Sequence, residues 1–203
     1  MIVREREGEM KMSRKKENYK VFPFWQARIC SAIVGLRKRY QNPNEILLGY
    51  ITEGMTVADI GCALGYFTLP MAEMVGRSGK VVAVDLQPQM LEELGRKAKK
   101  VGVWERIKRV CCSEHSLNID QWKEQIDFAL VFAVAHEVPD RERLFRELYA
   151  AMRGGARLLL AEPKGHVSEE CFRESIAFAK QSGFQVIGVP QINMSRAVLL
   201  AKQ

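Results

Sequence analysis

From residue 55 to residue 201 short apolar runs alternate with longer amphipathic ones, and that alternation leaves few folds open. Residues 55–60, 80–85, 107–112, 126–132 and 157–161 read as strands. Between them, residues 66–75 read as a helix, with Pro70 tolerable only near its first turn. Pro88 opens a helix reaching about Lys100, and Asp140 caps one that stops at Gly154 and Gly155. Ser168, followed by Glu169 and Glu170, caps a last helix ending at Gly183. The strands are apolar nearly throughout instead of alternating, so both faces of their sheet are covered. Strand-helix alternation of this kind predicts a parallel sheet between two helical layers. Residues 184–189 and 197–201 are two further strands, and the stretch 190–196 is too short for a crossover helix. They are expected to pair as an antiparallel hairpin.

The charge is confined to one end. The net charge is +7, and residues 1–39 account for all of it, since Lys/Arg and Asp/Glu balance over 40–203. The body is therefore no candidate for nucleic-acid binding on global charge. Residues 1–20 carry no apolar stripe and read as a mobile basic tail. From Phe24, the residues Trp25, Ile29, Ile33, Leu36 and Tyr40 recur at helical spacing. Asn42, Pro43 and Glu45 then form a capping signature for a short helix through Leu48. The expected organisation is a tail at 1–20, N-terminal helices over 21–50 that either lie on a membrane surface or fold over the sheet edge as a lid, and one α/β domain over 51–203. No run of 18 apolar residues predicts a membrane-spanning helix. The 5 cysteines lack any C-x-x-C spacing, so no metal site is expected, and a reducing cytoplasmic location is. The oligomeric state is not legible.

The chemistry concentrates where the first strand meets its helix, at Asp59, Gly61, Ala63 and Gly65. Glycines there let the backbone take conformations other residues avoid and approach a ligand closely. A dinucleotide fingerprint needs glycine at 63 and 66, where Ala63 and Tyr66 stand, so a nicotinamide-dependent oxidoreductase is only the lesser alternative. The segment does resemble motif I of class I S-adenosylmethionine-dependent methyltransferases, with Ala63 in place of the middle glycine. Asp85 ends the second strand, where that family places the acid that grips both ribose hydroxyls. Residues 112–114 fall where the family has its adenine-side motif, with Ser113 replacing the usual acid. Residues 126–132 resemble motif IV, and 152–163 resemble the glycine turn and fifth strand.

This resemblance covers roughly residues 45–203. It implies a seven-stranded, mostly parallel sheet of order 3-2-1-4-5-7-6 with an antiparallel last strand and an N-terminal helical extension. It implies S-adenosyl-L-methionine as cofactor. Asp85 would hold the ribose, Leu86 would pack on the adenine, and Ser113 and Glu114 would lie at the adenine edge. The 61–65 loop would pass the methionine part, with Asp59 as its support and Phe132 near the methyl-transfer end. The acceptor is expected to be a small molecule, because no Asn/Asp-Pro-Pro-aromatic motif follows the fourth strand. A non-catalytic nucleoside-binding subunit of a larger methyltransferase is the other reading, since methyl transfer from a sulfonium requires no dedicated catalytic side chain.

His136 lies just past the fourth strand. It is a candidate general base, a role worth roughly 10²–10⁴ in rate; the alternative is a loop histidine bonded to backbone or to Glu137. His166 is either pocket lining or a loop residue, and His115 is expected at the surface. Cys111 and Cys112 are expected to be small buried apolar residues. The basic cluster Arg96, Lys97, Lys99, Lys100, Arg106, Lys108 and Arg109, diluted by Glu92, Glu93 and Glu105, is expected to be a solvated face.

Overall fold

A computed structural model describes residues 39–203. The tail at 1–20 and nearly all of the expected helix from Phe24 to Tyr40 lie outside the described residues.

Seven strands form one sheet: β1 (Thr56–Ile60), β2 (Lys80–Asp85), β3 (Ile107–Cys111), β4 (Ile126–Phe132), β5 (Met152–Pro163), β6 (Phe184–Gly188) and β7 (Ser195–Lys202). Their order is β3-β2-β1-β4-β5-β7-β6, as the resemblance implied. All pairings are parallel except those of β7, which runs antiparallel to both β5 and β6. The order reverses at β1, which pairs with β2 on one side and β4 on the other. That reversal opens a crevice at the carboxyl ends of the strands, where ligands bind in open α/β sheets.

The period-two geometry of each strand divides the core into two layers. Ala58, Ile60, Val82, Val84, Ala129 and Val131 face one layer. There they pack on α4 (Arg141–Ala151) and α5 (Glu169–Gln181), through Leu144, Phe145, Leu148 and Phe172. Val57, Val81, Ala83, Phe128, Leu130 and Phe132 face the other. That side is covered by α1 (Pro43–Leu47), α2 (Thr68–Met74) and α3 (Pro88–Lys100), through Leu47, Met71, Leu91 and Leu94. Fully burying one such Leu or Phe contributes about 1.5–3 kcal/mol.

Local signals set most of the boundaries. Asn42 caps α1, accepting from the Asn44 N–H at 3.1 Å while its amide donates to Glu45 at 2.9 Å. Asp140 accepts from Arg143 N–H at 2.9 Å to cap α4, and Ser168 accepts from Cys171 N–H at 3.1 Å to cap α5.

Three expectations need correction. The helix α4 does not reach Gly154; it ends at Ala151, and the chain is already extended at Met152. Met152 pairs with Ile126, and β4 advances to Phe128 while β5 advances to Arg157. The surplus residues bulge outward, and Gly155 takes the left-handed conformation there (φ 77°). The two glycines therefore serve an irregularity inside the strand, not the stop of a helix. Cys111 and Cys112 are not both buried: Cys111 is exposed and Cys112 half-buried. β3 is an edge strand, with Ile107 and Val110 buried and Lys108, Arg109 and Cys111 exposed. The basic cluster is not simply solvated. Arg106 donates to the Ala72 carbonyl and Arg109 to the Leu91 carbonyl, and Lys99 and Arg109 lie on the Trp104 ring. Long cationic stems cover apolar surface while their heads find carbonyls.

Candidate functional site

The carboxyl ends of β1, β2, β4 and β5 open into one cavity of about 950 Å³. All nine residues expected around the cofactor line it: Asp59, Gly61, Ala63, Gly65, Asp85, Leu86, Ser113, Glu114 and Phe132. His136 and His166 line it too, whereas His115 lies exposed.

The loop after β1 is tied to the sheet by Gly61 and Cys62, whose N–H groups donate to the Val84 carbonyl at 2.9 and 3.0 Å. Gly61 (φ 70°), Ala63 (φ 45°) and Gly65 (φ 86°) all adopt left-handed backbone. The reason for glycine is therefore conformational, and steric as well. A Cβ on Gly61 would stand 2.5 Å from Val134, and one on Gly65 would stand 2.4 Å from Leu94. The missing side chains admit neighbouring protein atoms. Asp59 is buried and accepts the Thr68 hydroxyl at 2.6 Å, linking β1 to the first residue of α2.

Asp85 is 8% exposed, and its two carboxylate oxygens hold both sides of the crevice. One accepts from Ala63 N–H at 2.8 Å and the other from Gln87 N–H at 2.9 Å. Burial raises its pKa, and the backbone donors, Gln87 first, work against that rise. Cys112, which the sequence reading did not place here, also lines the cavity, and burial pushes its thiol up to about 12. Ser113 and Glu114 are exposed at the rim, and the Glu114 carbonyl accepts from Arg143.

The opposite end of the cavity is aromatic and histidine-lined. Phe67 packs against Phe132 at 4.6 Å between centroids, and Tyr66 stands edge-on to Phe67. The Tyr66 hydroxyl donates to the Gln41 carbonyl at 2.8 Å, holding the chain before α1 at the cavity mouth. Asn42, Pro43 and Asn44 line that mouth. After β4, Ala133 turns the chain with φ 57°, and a 3-10 turn, Ala135–Glu137, presents His136. His136 has the expected Glu137 beside it, with Nε2 3.9 Å from the carboxylate, but its short contact is with another residue. Its Nδ1 lies 2.7 Å from a carboxylate oxygen of Glu162, a residue the sequence reading passed over. The signal was available as an acid at the end of an apolar strand, beside the strand that carries His136.

Residues 57–155 match a family described as "Methyltransferase domain". Over 112 residues the chain is 28% identical to the ubiquinone/menaquinone biosynthesis C-methyltransferase UbiE of Escherichia fergusonii. That match covers 55% of this chain and 44% of the relative, so it spans less than half of that protein's length. A S-adenosylmethionine-dependent methyltransferase of Aquifex aeolicus has the same fold, with a TM-score of 0.77 at 22% identity over 89% of this chain and 98% of that one. Over residues 57–155 in sequence, and in its fold, the chain is similar to class I S-adenosylmethionine-dependent methyltransferases. A geranyl diphosphate methyltransferase solved in complex with the cofactor is similar too, with a TM-score of 0.66 at 15% identity over 89% of this chain and 90% of that one.

S-adenosyl-L-methionine is the cofactor of this family, and the residues present fit it. The crevice at the β1 reversal has a volume of about 950 Å³, and the left-handed loop at Gly61, Ala63 and Gly65 lines it. A buried carboxylate stands at the end of β2, and each of its oxygens has capacity beyond the one N–H it accepts from Ala63 or Gln87.

Proposed function

We propose that the protein transfers the methyl group of S-adenosyl-L-methionine to a small-molecule acceptor. The observation that carries this reading is the convergence on one cavity of the buried Asp85 carboxylate, the left-handed 61–65 loop and an aromatic, histidine-lined end. When bound, the cofactor supplies an electrophilic methyl group on a good leaving group. What remains for the protein is alignment and exclusion of water, worth up to about 7–11 kcal/mol as effective molarity.

In this reading Asp85 accepts both ribose hydroxyls on the oxygens that already hold Ala63 and Gln87 N–H groups. Leu86 packs on the adenine, and Ser113 and Glu114 border its edge. The 61–65 loop passes the methionine part, and Asp59 supports that loop through Thr68. Phe132 closes the methyl-transfer end. Residues 51–203 are the cofactor-binding domain, consistent with all seven strands lying within them. Residues 21–50 cap the acceptor side, a role supported by Asn42, Pro43 and Asn44 at the mouth. A small-molecule acceptor is supported by the relative's name. A cytoplasmic location agrees with the family, and no helix among the described residues is long and apolar enough to cross a membrane.

Calorimetry with S-adenosylhomocysteine tests the cofactor reading directly. The parent protein should bind it, and Asp85→Ala should weaken binding at least about tenfold, since two charge-assisted hydrogen bonds are lost. Preference for NADH over S-adenosylhomocysteine would overturn the reading.

A further inference from the structure

Methyl transfer to a neutral atom leaves a proton to be removed, and one pair of residues at the aromatic end of the cavity is arranged to remove it. Glu162 is the penultimate residue of β5 and is 1% exposed. A buried carboxylate is costly unless its oxygens are satisfied. Here both oxygens are turned on a single residue: one accepts the His136 backbone N–H at 3.1 Å, and the other lies 2.7 Å from His136 Nδ1. A carboxylate only accepts, so Nδ1 carries the proton and Nε2 carries the lone pair.

The ring has little freedom to turn away. Ala133 begins the turn in the left-handed region, its N–H donating to the Ala161 carbonyl at 2.8 Å, and the 3-10 turn follows. His166 lies edge-on to the imidazole, with centroids 5.0 Å apart. The charged groups facing the ring are Glu162 from β5, Glu137 from its own turn and Arg141 from α4, with His166 from the loop after β5. Glu137 reaches no closer than 3.9 Å to Nε2. Burial disfavours the imidazolium, but the Glu162 hydrogen bond and the charges of Glu162 and Glu137 outweigh it together with Arg141, and the pKa of His136 is raised.

We propose that His136 Nε2 takes the proton of the acceptor and that Glu162 is the positioning residue that sets the tautomer and neutralises the imidazolium. The acceptor class is then an uncharged molecule with a labile proton on oxygen, sulfur or an activated carbon. This rests on the methyltransferase reading above. The balance closes: an electron pair on the acceptor atom forms the bond to the methyl carbon. The pair of the breaking carbon–sulfur bond stays on sulfur, and the acceptor's proton passes to Nε2 and from there to solvent. Two carboxylates beside the ring make the mouth unfavourable for an anionic acceptor.

Two measurements on the full chain decide this, with S-adenosylhomocysteine as the cofactor probe. Long-range ¹H–¹⁵N spectra of the imidazoles should show His136 protonated at Nδ1 and bare at Nε2, with a titration midpoint above 6.5. In Glu162→Gln the midpoint should fall below that of the parent and the single tautomer should be lost, because the amide can donate as well as accept. A proton found on Nε2 with Nδ1 bare in the parent overturns the proposal, even where Glu162→Gln does not fold. Transfer of a labelled methyl group is then followed to catechol, 2-mercaptoethanol and acetylacetone. Transfer to at least one is expected, with kcat rising through the His136 midpoint. His136→Asn and Glu162→Gln should each lower kcat at least about a hundredfold with KM little changed. The acid limb of Glu162→Gln should move to lower pH. Transfer to none of the three by protein that binds S-adenosylhomocysteine, or full activity of His136→Asn, overturns the proposal. Failure to bind S-adenosylhomocysteine would instead overturn the cofactor reading and leave the tautomer result standing by itself.

Discussion

Ala63 occupies a backbone position built for glycine. Its φ of 45° is left-handed, and its N–H is held by Asp85 at 2.8 Å. An L-residue there costs about 1–2 kcal/mol relative to a right-handed conformation. Glycine would remove that strain but add about 0.5–1 kcal/mol of unfolded-state entropy. Ala63→Gly should therefore stabilise the protein by about 0.5 kcal/mol, read as a higher urea midpoint at unchanged slope. A lower midpoint would show that the Ala63 methyl group contributes packing beside Leu64 and Met90 that outweighs the strain. Gly61 and Gly65 do not share this option, because a Cβ at either would meet Val134 or Leu94 at under 3 Å.

Element boundaries show where distant residues overrule local signals. Composition alone carries α4 on to the paired glycines, yet it stops at Ala151. The cause lies at the end of β7. Lys202 is 9% exposed and its ammonium donates to the Tyr149 carbonyl at 2.8 Å and the Met152 carbonyl at 2.7 Å. A cation at the helix end also suits the helix dipole. Lys202→Met keeps the stem and removes both bonds. It should cost about 2–3 kcal/mol by urea denaturation, since charged donors are lost from buried acceptors. By contrast α3 runs over Pro88–Lys100, the span read from sequence. Its proline at the start, apolar stripe and basic last turn all lie within the helix itself.

Across the whole molecule the sheet order brings four strand ends to one crevice, and it also couples two of them electrostatically. β4 and β5 are neighbours with Phe132 opposite Ala161, so Glu162, the next residue of β5, meets His136 in the turn after β4. The raised pKa of His136 makes this pair a source of pH-dependent stability. A histidine whose folded-state pKa exceeds the unfolded value of about 6.5 stabilises fully below that value and loses the contribution as pH rises through the folded one. Urea midpoints should accordingly fall as the pH rises above about 6.5, and His136→Asn should flatten that slope. An unchanged slope in the variant would assign the dependence to other groups.

The sequence by itself determined the alternation of strands and helices, the closing antiparallel hairpin and the concentration of site residues at strand ends. Each of these is written in local periodicity, turn residues or caps, which depend on neighbours a few positions away. The nine residues from Asp59 to Phe132 that line the cavity lie at strand ends or in the loops after them, and the resemblance supplied the order that brings those strands together. The tertiary structure alone decided which groups meet across long separations. Glu162 lies 26 positions from His136, and Lys202 lies 50 from the Met152 carbonyl it caps. A buried charge takes whatever partner the strand register delivers, and register is a property of packed sheet faces, not of any local pattern.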